Sequence, residues 1–207
     1  MYTKYTLLLA SQSHSRQVLL RQMQIPFQVI GQHADESACD WNLPLVEVVS
    51  NIALYKMQHA IVPDGVQEGE ICFVLTADTL SQDGTSRLQG KPIDKQDAVG
   101  KIRVARQGSE LATSFCIDKK IWDGQSWQLV ERISQVVCAS YRFDIPEEWI
   151  ETYFQKSYAL QCAGAVAIED FGGQFLHDVK GSYSTIVGLP QFEVRQALEK
   201  LSFFNCV

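Results

Sequence analysis

The sequence lacks the paired cysteines and histidines that a structural metal site or a disulfide framework needs. None of its six cysteines forms a CxxC pair, and its four histidines supply no ligand pair at helical spacing. These residues are Cys39, Cys72, Cys116, Cys138, Cys162 and Cys206, and His14, His33, His59 and His177. We therefore expect free cysteines in a reducing cytoplasm, with neither a catalytic thiol nor a structural zinc site.

Long apolar runs and an excess of basic residues are also missing. No apolar run reaches the roughly 18 residues of a transmembrane helix, so we expect no membrane span. The opening "MYTKYTLLLASQSHSR" has no basic leader and only a short apolar core, which predicts a strand rather than a signal peptide. The net charge of −6 argues against binding of long nucleic acid, although small anionic ligands need only a few local cations.

What the chain does have is enough apolar sequence for a core and a regular alternation of elements. Apolar residues make up 46% of 207 residues, which suits one domain, or one domain of two lobes, over residues 1–207. The patterns predict strands at Tyr5–Ala10, Phe27–Ile30, Ile71–Ala77, Leu111–Ile117 and Trp127–Val137. They predict helices after "SQSHSR", over Leu45–Ala60, after Asp94, at "DIPEEWIETYF" and from Pro190 to about Leu201. The fold class is therefore α/β with a mixed, twisted sheet and flanking helices.

An acid follows one of the predicted buried strands. Asp78 comes directly after Ile71–Ala77, so we expect it at the carboxyl edge of the sheet, where clefts of α/β folds lie. A carboxylate there suits a general base or a metal ligand. A turn or helix cap would suit the same position equally well, and the sequence position leaves both open.

The "QDGT" of Gln82 to Thr85 resembles part of the DxDGT signature of aspartyl-phosphate phosphatases. Ser81 stands where that signature needs its aspartate nucleophile, so the resemblance fails. The "DGT" is better explained as a hairpin turn between two strands.

Two loops carry groups that suit phosphate oxygens. In "LLLASQSHSR", Ser11 and Ser13 precede a helix whose free backbone amides attract anions, and Arg16 lies one turn further on. Simple capping of the helix by Ser13 is the alternative. In "LQGKP", Lys91 lies between a flexible glycine and a rigid proline, where it is either a point charge for phosphate or a solvated loop lysine.

The roles of two further charged residues, Lys56 and Glu36, depend on which groups lie near them in the fold. Lys56 shares a helical stripe with Leu45, Val49 and Ile52, which predicts a snorkelling lysine unless the stripe ends at a cleft. Glu36, in "ADES", is a loop acid unless Asp78 is close, in which case both are metal ligands. Together, cations and amides for a polyphosphate and acids for a divalent metal are what hydrolysis of a phosphoanhydride requires.

The stretches "LLLASQSHSRQVLL", "ADES", "LYK", "VLTADTLSQDGTSRLQGKPID" and "CAGAVAIEDFGGQFLHDVKGSYSTIVGLP" resemble, in order, the motifs of the Maf family. These are nucleoside triphosphate pyrophosphatases, first named for an effect on septum formation, and the resemblance covers nearly the whole chain. It implies an inosine triphosphatase-like fold with two lobes around a deep cleft, and often a homodimer. It also implies hydrolysis of a nucleoside triphosphate to monophosphate and pyrophosphate with Mg²⁺ or Mn²⁺.

The same resemblance implies a role for each candidate residue. Asp78 is the proton acceptor, and Glu36 and Asp78 are the metal ligands. The phosphates would be held by Ser11, Ser13, Arg16, Lys56 and Lys91.

The chain departs from the family pattern at the positions tied to base choice. Ser15 replaces an arginine or tryptophan, and Glu169 replaces a glutamine. "YALQCAG" with Glu169 resembles the 7-methyl-GTP branch, whereas Thr79 resembles the dTTP/UTP branch. Because an ionised glutamate only accepts hydrogen bonds, Glu169 should favour a donor-rich base edge such as that of guanine.

Two other functions stay open at this point. The altered "SHSR" and "GSELATSFC" stretches allow a nucleotide-binding regulator of cell division with little or no turnover. A phosphatase that removes only the γ-phosphate is the third possibility.

Overall fold

The computed structural model describes residues 3–204, and in that range seven strands form one sheet. The strands are β1 (Leu7–Leu9), β2 (Phe27–Val29), β3 (Ile71–Gln82), β4 (Leu88–Gln89), β5 (Ser109–Trp122), β6 (Trp127–Phe143) and β7 (Leu176–Lys180). Their order is β2-β1-β3-β5-β6-β7, with β4 paired to β3. β1 runs parallel to β2 and β3, whereas β3 with β4 and β6 with β7 are antiparallel. The predicted α/β class with a mixed sheet is confirmed.

Six α-helices flank the sheet within the same described range. They are α1 (His14–Gln22), α2 (Leu45–Gln58), α3 (Lys95–Ala105), α4 (Ile150–Lys156), α5 (Tyr183–Val187) and α6 (Gln191–Lys200). The predicted start of α3 is confirmed, since the side chain of Asp94 accepts a hydrogen bond from the backbone N–H of Asp97 at 2.7 Å. The predicted helix at "DIPEEWIETYF" begins with a 3₁₀ turn over Glu147–Trp149 before α4.

The chain groups into two compact units. The first unit contains the chain up to Asp78, Ser114–Val136 and the chain from Gly188 onward; the second contains Thr79–Thr113 and Val137–Val187. The first unit includes an apolar cluster of Ala10, Ile30, Met57, Cys72, Val74 and Cys116. The core of the second unit includes Ile102, Phe143, Tyr153, Ile168 and Phe175. That these are two lobes of a single domain, residues 1–207, stays a prediction.

The strand that carries Asp78 is longer than its apolar pattern indicates. β3 does not stop at Ala77 but continues to Gln82, so the prediction that Asp78 lies at a strand end is wrong. The polar residues beyond it remain in the strand because Ser81 pairs with Gln89, and Gln82 with Leu88. The alternative role of Asp78 as a turn cap is thereby excluded.

The "DGT" turn between β3 and β4 is confirmed as a hairpin connection. Asp83 Oδ1 accepts from the backbone N–H of Thr85 at 2.9 Å and of Arg87 at 3.1 Å. This pattern is an Asx turn, in which the carboxylate replaces the backbone hydrogen bonds that the turn leaves open. Asp83 therefore stabilises the hairpin turn.

The five cysteines that the structure describes are free thiols, as predicted, whereas Cys206 lies outside the described residues. Burial raises the pKa of both Cys72 and Cys116 to about 12, so their thiols stay protonated and unreactive. Among the helices of residues 3–204, none combines the length and the apolar character that crossing a membrane requires.

Candidate active site

Lys56 joins two carboxylates in the first unit. Its Nζ lies 2.6 Å from Asp78 Oδ1 and 2.8 Å from Glu36 Oε1. Lys56 and Asp78 are buried, with 8% and 7% of their surfaces exposed, whereas the Glu36 side chain is 43% exposed. One lysine thus bridges a buried acid and a partly exposed one.

The contact between Lys56 and Asp78 follows from the register of α2 on β3. Leu45, Val49 and Ile52 form the buried stripe of α2, and Lys56 lies one turn further along the same face. On β3, alternate residues share a face, so Thr76 and Asp78 point the same way. Thr76 Oγ1 donates to the carbonyl of Ala53, 2.8 Å away on α2, and this bond brings the next turn of the helix to Asp78.

A short 3₁₀ turn, Glu36–Ala38, presents the second carboxylate. Asp35 precedes this turn, and its Oδ1 accepts from the backbone N–H of Ser37 at 3.0 Å and from the Ser37 hydroxyl at 2.7 Å. The indole Nε1–H of Trp41 donates to the carbonyl of Glu36 at 3.1 Å. The "ADES" loop is therefore ordered by its own polar groups, with Glu36 directed at Lys56.

Burial raises the pKa of Asp78, while the charges of Lys56 and Arg16 oppose that rise. Its Oδ2 is buried and has no hydrogen-bond partner among residues 3–204. Since an unpartnered buried carboxylate oxygen costs free energy, this atom is the best acceptor in the site for a water molecule or a cation.

The two carboxylates suit a magnesium or manganese ion that shares its ligands with a phosphate chain. Mg²⁺ is usually bound by one or two carboxylates, with waters and substrate phosphates completing the coordination. Residues 3–204 contain no group of three or more histidine, cysteine, aspartate or glutamate side chains that would form a closed protein site. Glu36 and Asp78, with the unpartnered Oδ2, match the open type of site.

The "SQSHSR" stretch forms a cluster around Arg16. Ser13 precedes α1, but its side chain makes no capping hydrogen bond to any residue that the structure describes, so simple capping by Ser13 is wrong. Ser11 Oγ instead accepts from the backbone N–H of Ser13 at 3.3 Å and from Arg16 Nη1 at 3.1 Å. Arg16 Nε donates to the carbonyl of Gly188 at 2.9 Å. Arg16 is thus held in place, close enough to Asp78 for its charge to lower the pKa of that carboxyl.

The remaining predicted residues lie elsewhere. Ser15 is buried in the first turn of α1, in the first unit. In the second unit, Thr79 shares a hydrogen bond with the hydroxyl of Thr113 at 2.9 Å, and Glu169 accepts one from the hydroxyl of Tyr158. Lys91 is exposed on the turn after β4. That Lys91 and Asp78 bracket a triphosphate stays a prediction.

Sequence reasoning missed several partners that organise these residues. Thr76, Gly188 and Thr113 give no signal in the sequence, because each acts through hydrogen bonds to distant parts of the chain. Tyr158 lies in "YALQCAG", which the sequence marks only as a branch feature. The available signal was that Tyr158, which carries a hydroxyl group, precedes by a short distance a segment that contains the acid Glu169.

Comparison with known proteins identifies the family. The chain matches the family described as Maf-like protein over residues 6–201. It is 32% identical over 197 residues to a dTTP/UTP pyrophosphatase of Pseudoalteromonas atlantica, covering 95% of this chain and 97% of the relative. It is 33% identical over 199 residues to a dTTP/UTP pyrophosphatase of Halalkalibacterium halodurans, covering 95% and 96%. A nucleoside triphosphate pyrophosphatase of Corynebacterium efficiens is 32% identical over 200 residues, covering 93% and 92%.

Proposed function

The chain belongs to the Maf family, and we propose that it is a metal-dependent nucleoside triphosphate pyrophosphatase. Its reaction is hydrolysis of the α–β phosphoanhydride of a non-standard or modified nucleotide. The observation that carries this proposal is the buried Asp78, whose Oδ2 lacks a partner among residues 3–204 while Oδ1 is held by Lys56. The pyrophosphatases that this chain resembles support the reaction class.

In the proposed mechanism, Asp78 accepts the proton of the attacking water through its Oδ2. The water oxygen forms a bond to the α-phosphorus, and the bridging oxygen leaves with pyrophosphate. A divalent cation, when bound by Glu36 and Asp78, would neutralise phosphate charge. Lys56 keeps Asp78 oriented, and Arg16 is positioned to offset the charge that develops on the phosphates.

The phosphate chain would be held by the helix start together with the cations Arg16, Lys56 and Lys91. The backbone amides at the N-terminus of α1, with Ser11 and Ser13, suit phosphate oxygens, and Lys91 supplies a further positive charge. A homodimer and a cytoplasmic location belong to the same proposal. Light scattering of the purified protein tests the dimer.

A panel of triphosphates with Mg²⁺ tests the function. We expect equimolar nucleoside monophosphate and pyrophosphate from at least one of 7-methyl-GTP, dTTP, UTP, GTP and ITP. Chelation should stop the reaction and Mg²⁺ or Mn²⁺ should restore it, because the two carboxylates cannot themselves neutralise the phosphates and would need a bound cation to do so. Release of orthophosphate would identify a γ-phosphatase instead. Tight nucleotide binding without product, unchanged in Asp78→Asn, would support a nucleotide-binding regulator instead.

Replacement of Glu169 by glutamine is expected to shift base preference. Glutamate only accepts hydrogen bonds, whereas the glutamine amide also donates, so the variant should lose preference for guanine-type bases over dTTP and UTP. Comparing kcat/KM across the panel for the two proteins measures the shift. An unchanged ranking of substrates would show that Glu169 does not read the base.

A further inference from the structure

Glu169 is held by a hydrogen bond from a neighbouring tyrosine. The Tyr158 hydroxyl lies within hydrogen-bond distance of Glu169 Oε1, and both residues are half-buried. An ionised carboxylate carries no proton, so Tyr158 must be the donor. Hydrogen bonds to charged groups are stronger than neutral ones, and this one fixes one oxygen of Glu169 relative to the protein.

The segment that carries Glu169 is built with backbone strain. Ala165 and Asp170, on either side of residues 166–169, have φ angles of 57° and 48°, which residues other than glycine rarely adopt. Gly172 approaches the segment so closely that an added Cβ would lie 1.8 Å from the carbonyl oxygen of Ala167. Strain of this kind persists where the surrounding structure enforces one conformation, which is typical of binding sites.

A buried tyrosine holds the same segment from its inner side. Tyr153 Oη accepts from the backbone N–H of Ala167 at 2.7 Å and lies 3.2 Å from the carbonyls of Ala165 and Ala167. With the backbone fixed in this way, the Glu169 carboxylate can move only by rotation of its side chain. The hydrogen bond from Tyr158 restricts that rotation.

An exposed aromatic ring lies near the carboxylate. Tyr183, the first residue of α5, is 48% exposed, and the negative charges of Glu169 and Asp170 act with burial to raise the pKa of its hydroxyl. Nucleobases are commonly recognised by an aromatic ring that stacks on the base together with a polar group that reads its edge. Glu169 and Tyr183, which interact through charge, are groups of these two kinds within the second unit.

We propose that Tyr158 is a positioning residue that holds Glu169 so that its carboxylate accepts hydrogen bonds from both N1–H and the 2-amino group of a guanine-type base. The inference rests on the proposed function, because it assigns the base edge that this site reads. Without the Tyr158 hydroxyl, the carboxylate rotates and cannot align both oxygens with two donors at once. We expect recognition of the 2-amino group to be lost before recognition of N1–H.

GTP and ITP form the matched pair that tests this assignment, since they differ only in the 2-amino group. The ratio of kcat/KM for GTP to that for ITP should fall about tenfold in Tyr158→Phe, the size expected for one hydrogen bond to a charged group. The change should appear mainly in KM for GTP, with kcat little altered, because Tyr158 orients a binding group and does not touch the phosphates. A general loss of folding would lower both substrates equally and leave the ratio unchanged.

Three further variants complete the experiment. Glu169→Gln should lower the GTP-to-ITP ratio as well, and adding Tyr158→Phe to it should lower the ratio no further, because the two residues act as one unit. Tyr5→Phe removes a phenolic hydroxyl from a ring that packs on Phe73 in the first unit, and should leave the ratio at the wild-type value.

Affinities for GTP and ITP analogues with a methylene group between the α- and β-phosphates separate this inference from the proposed function. If the wild-type protein releases no pyrophosphate, the proposed function fails, and the ratio of the two affinities alone decides the inference. An unchanged ratio in Tyr158→Phe overturns it. Failure of the wild-type protein to bind either analogue overturns it too.

Discussion

Asp78→Asn is expected to reduce pyrophosphate release about a thousandfold, within the range that loss of a general base usually causes. The amide cannot accept the proton of the attacking water, and it is a weaker ligand for a divalent cation. We expect KM to change much less than kcat, because the cations and amides that would hold the phosphates remain. Steady-state kinetics on the best substrate of the panel, with Mg²⁺ at saturation, measures the effect.

The same variant should not be less stable than the wild-type protein at neutral pH. Burial raises the pKa of Asp78 even with Lys56 and Arg16 nearby, which means that the ionised carboxylate is a net cost to the folded state. A neutral amide of the same shape avoids this cost. Chemical denaturation in the presence of a chelator should therefore give an unfolding free energy equal to or above that of the wild-type protein.

Asp118→Asn is the matched control for a buried carboxylate outside the proposed site. Asp118 lies on β5 in the first unit, is fully buried, and accepts from Arg132 Nε at 2.6 Å and Nη2 at 2.7 Å. Breaking this pair should lower stability by roughly 3–5 kcal/mol while the folded protein keeps its turnover. If Asp118→Asn abolished turnover and Asp78→Asn did not, the assignment of Asp78 as the base would be wrong.

Lys56→Met is expected to lower activity and to destabilise the protein, since it leaves Asp78 buried without the cation at Oδ1 and Glu36 without its partner. Turnover should fall at least about a hundredfold, because a higher pKa of Asp78 leaves a smaller fraction of ionised carboxylate to act as the base. Removing one partner of a buried pair costs roughly 3–5 kcal/mol, and exposure of Glu36 makes the lower end the better expectation here.

The pH dependence of stability gives Lys56→Met a specific signature. Loss of the lysine raises the pKa of Asp78 further above its unfolded value of about 4. A raised folded pKa contributes stability below the unfolded pKa, and this contribution is lost as the pH rises through the folded pKa. Thermal unfolding of the metal-free variant should therefore show stability falling more steeply than in the wild-type protein as the pH rises above about 4. A parallel pH profile would contradict this account of the pair.

Lys95→Met provides the control for loss of an ion pair at the surface. Lys95 and Glu151 form a salt bridge of 2.5 Å in which both side chains are 57% exposed. Solvent and salt screen such a pair, so the change in stability should be small and turnover should be unaffected. A loss as large as that of Lys56→Met would show that burial is not what makes Lys56 important.

Several features could be predicted because they depend on neighbours along the chain. The helical spacing of Leu45, Val49 and Ile52 indicates α2, and Asp94 with Asp97 marks the start of α3. The "DGT" turn needs only the local hydrogen bonds of Asp83. The family was predicted from the order of the motifs along the chain and is confirmed by the match over residues 6–201.

The end of β3 could not be predicted in this way. Beyond Ala77 the sequence becomes polar, which normally indicates that a strand has left the core. Pairing with β4 keeps the strand intact to Gln82, and Leu80 and Ser81 remain buried. Strand pairing is a property of two segments, so the apolar pattern of one segment alone placed the end too early.

The α/β class, the elements with strong periodicity, the family and the candidate residues all follow from the order of amino acids. Which of those residues meet depends on how the elements pack. Lys56 reads as a snorkelling lysine until α2 is packed on β3, where it lies 2.6 Å from an acid 22 positions away. Tyr158 has no visible role until the strained segment brings Glu169 to its hydroxyl. The physical reason is that periodicity and turn chemistry depend on adjacent residues, whereas side-chain contacts depend on the register between elements distant in the chain.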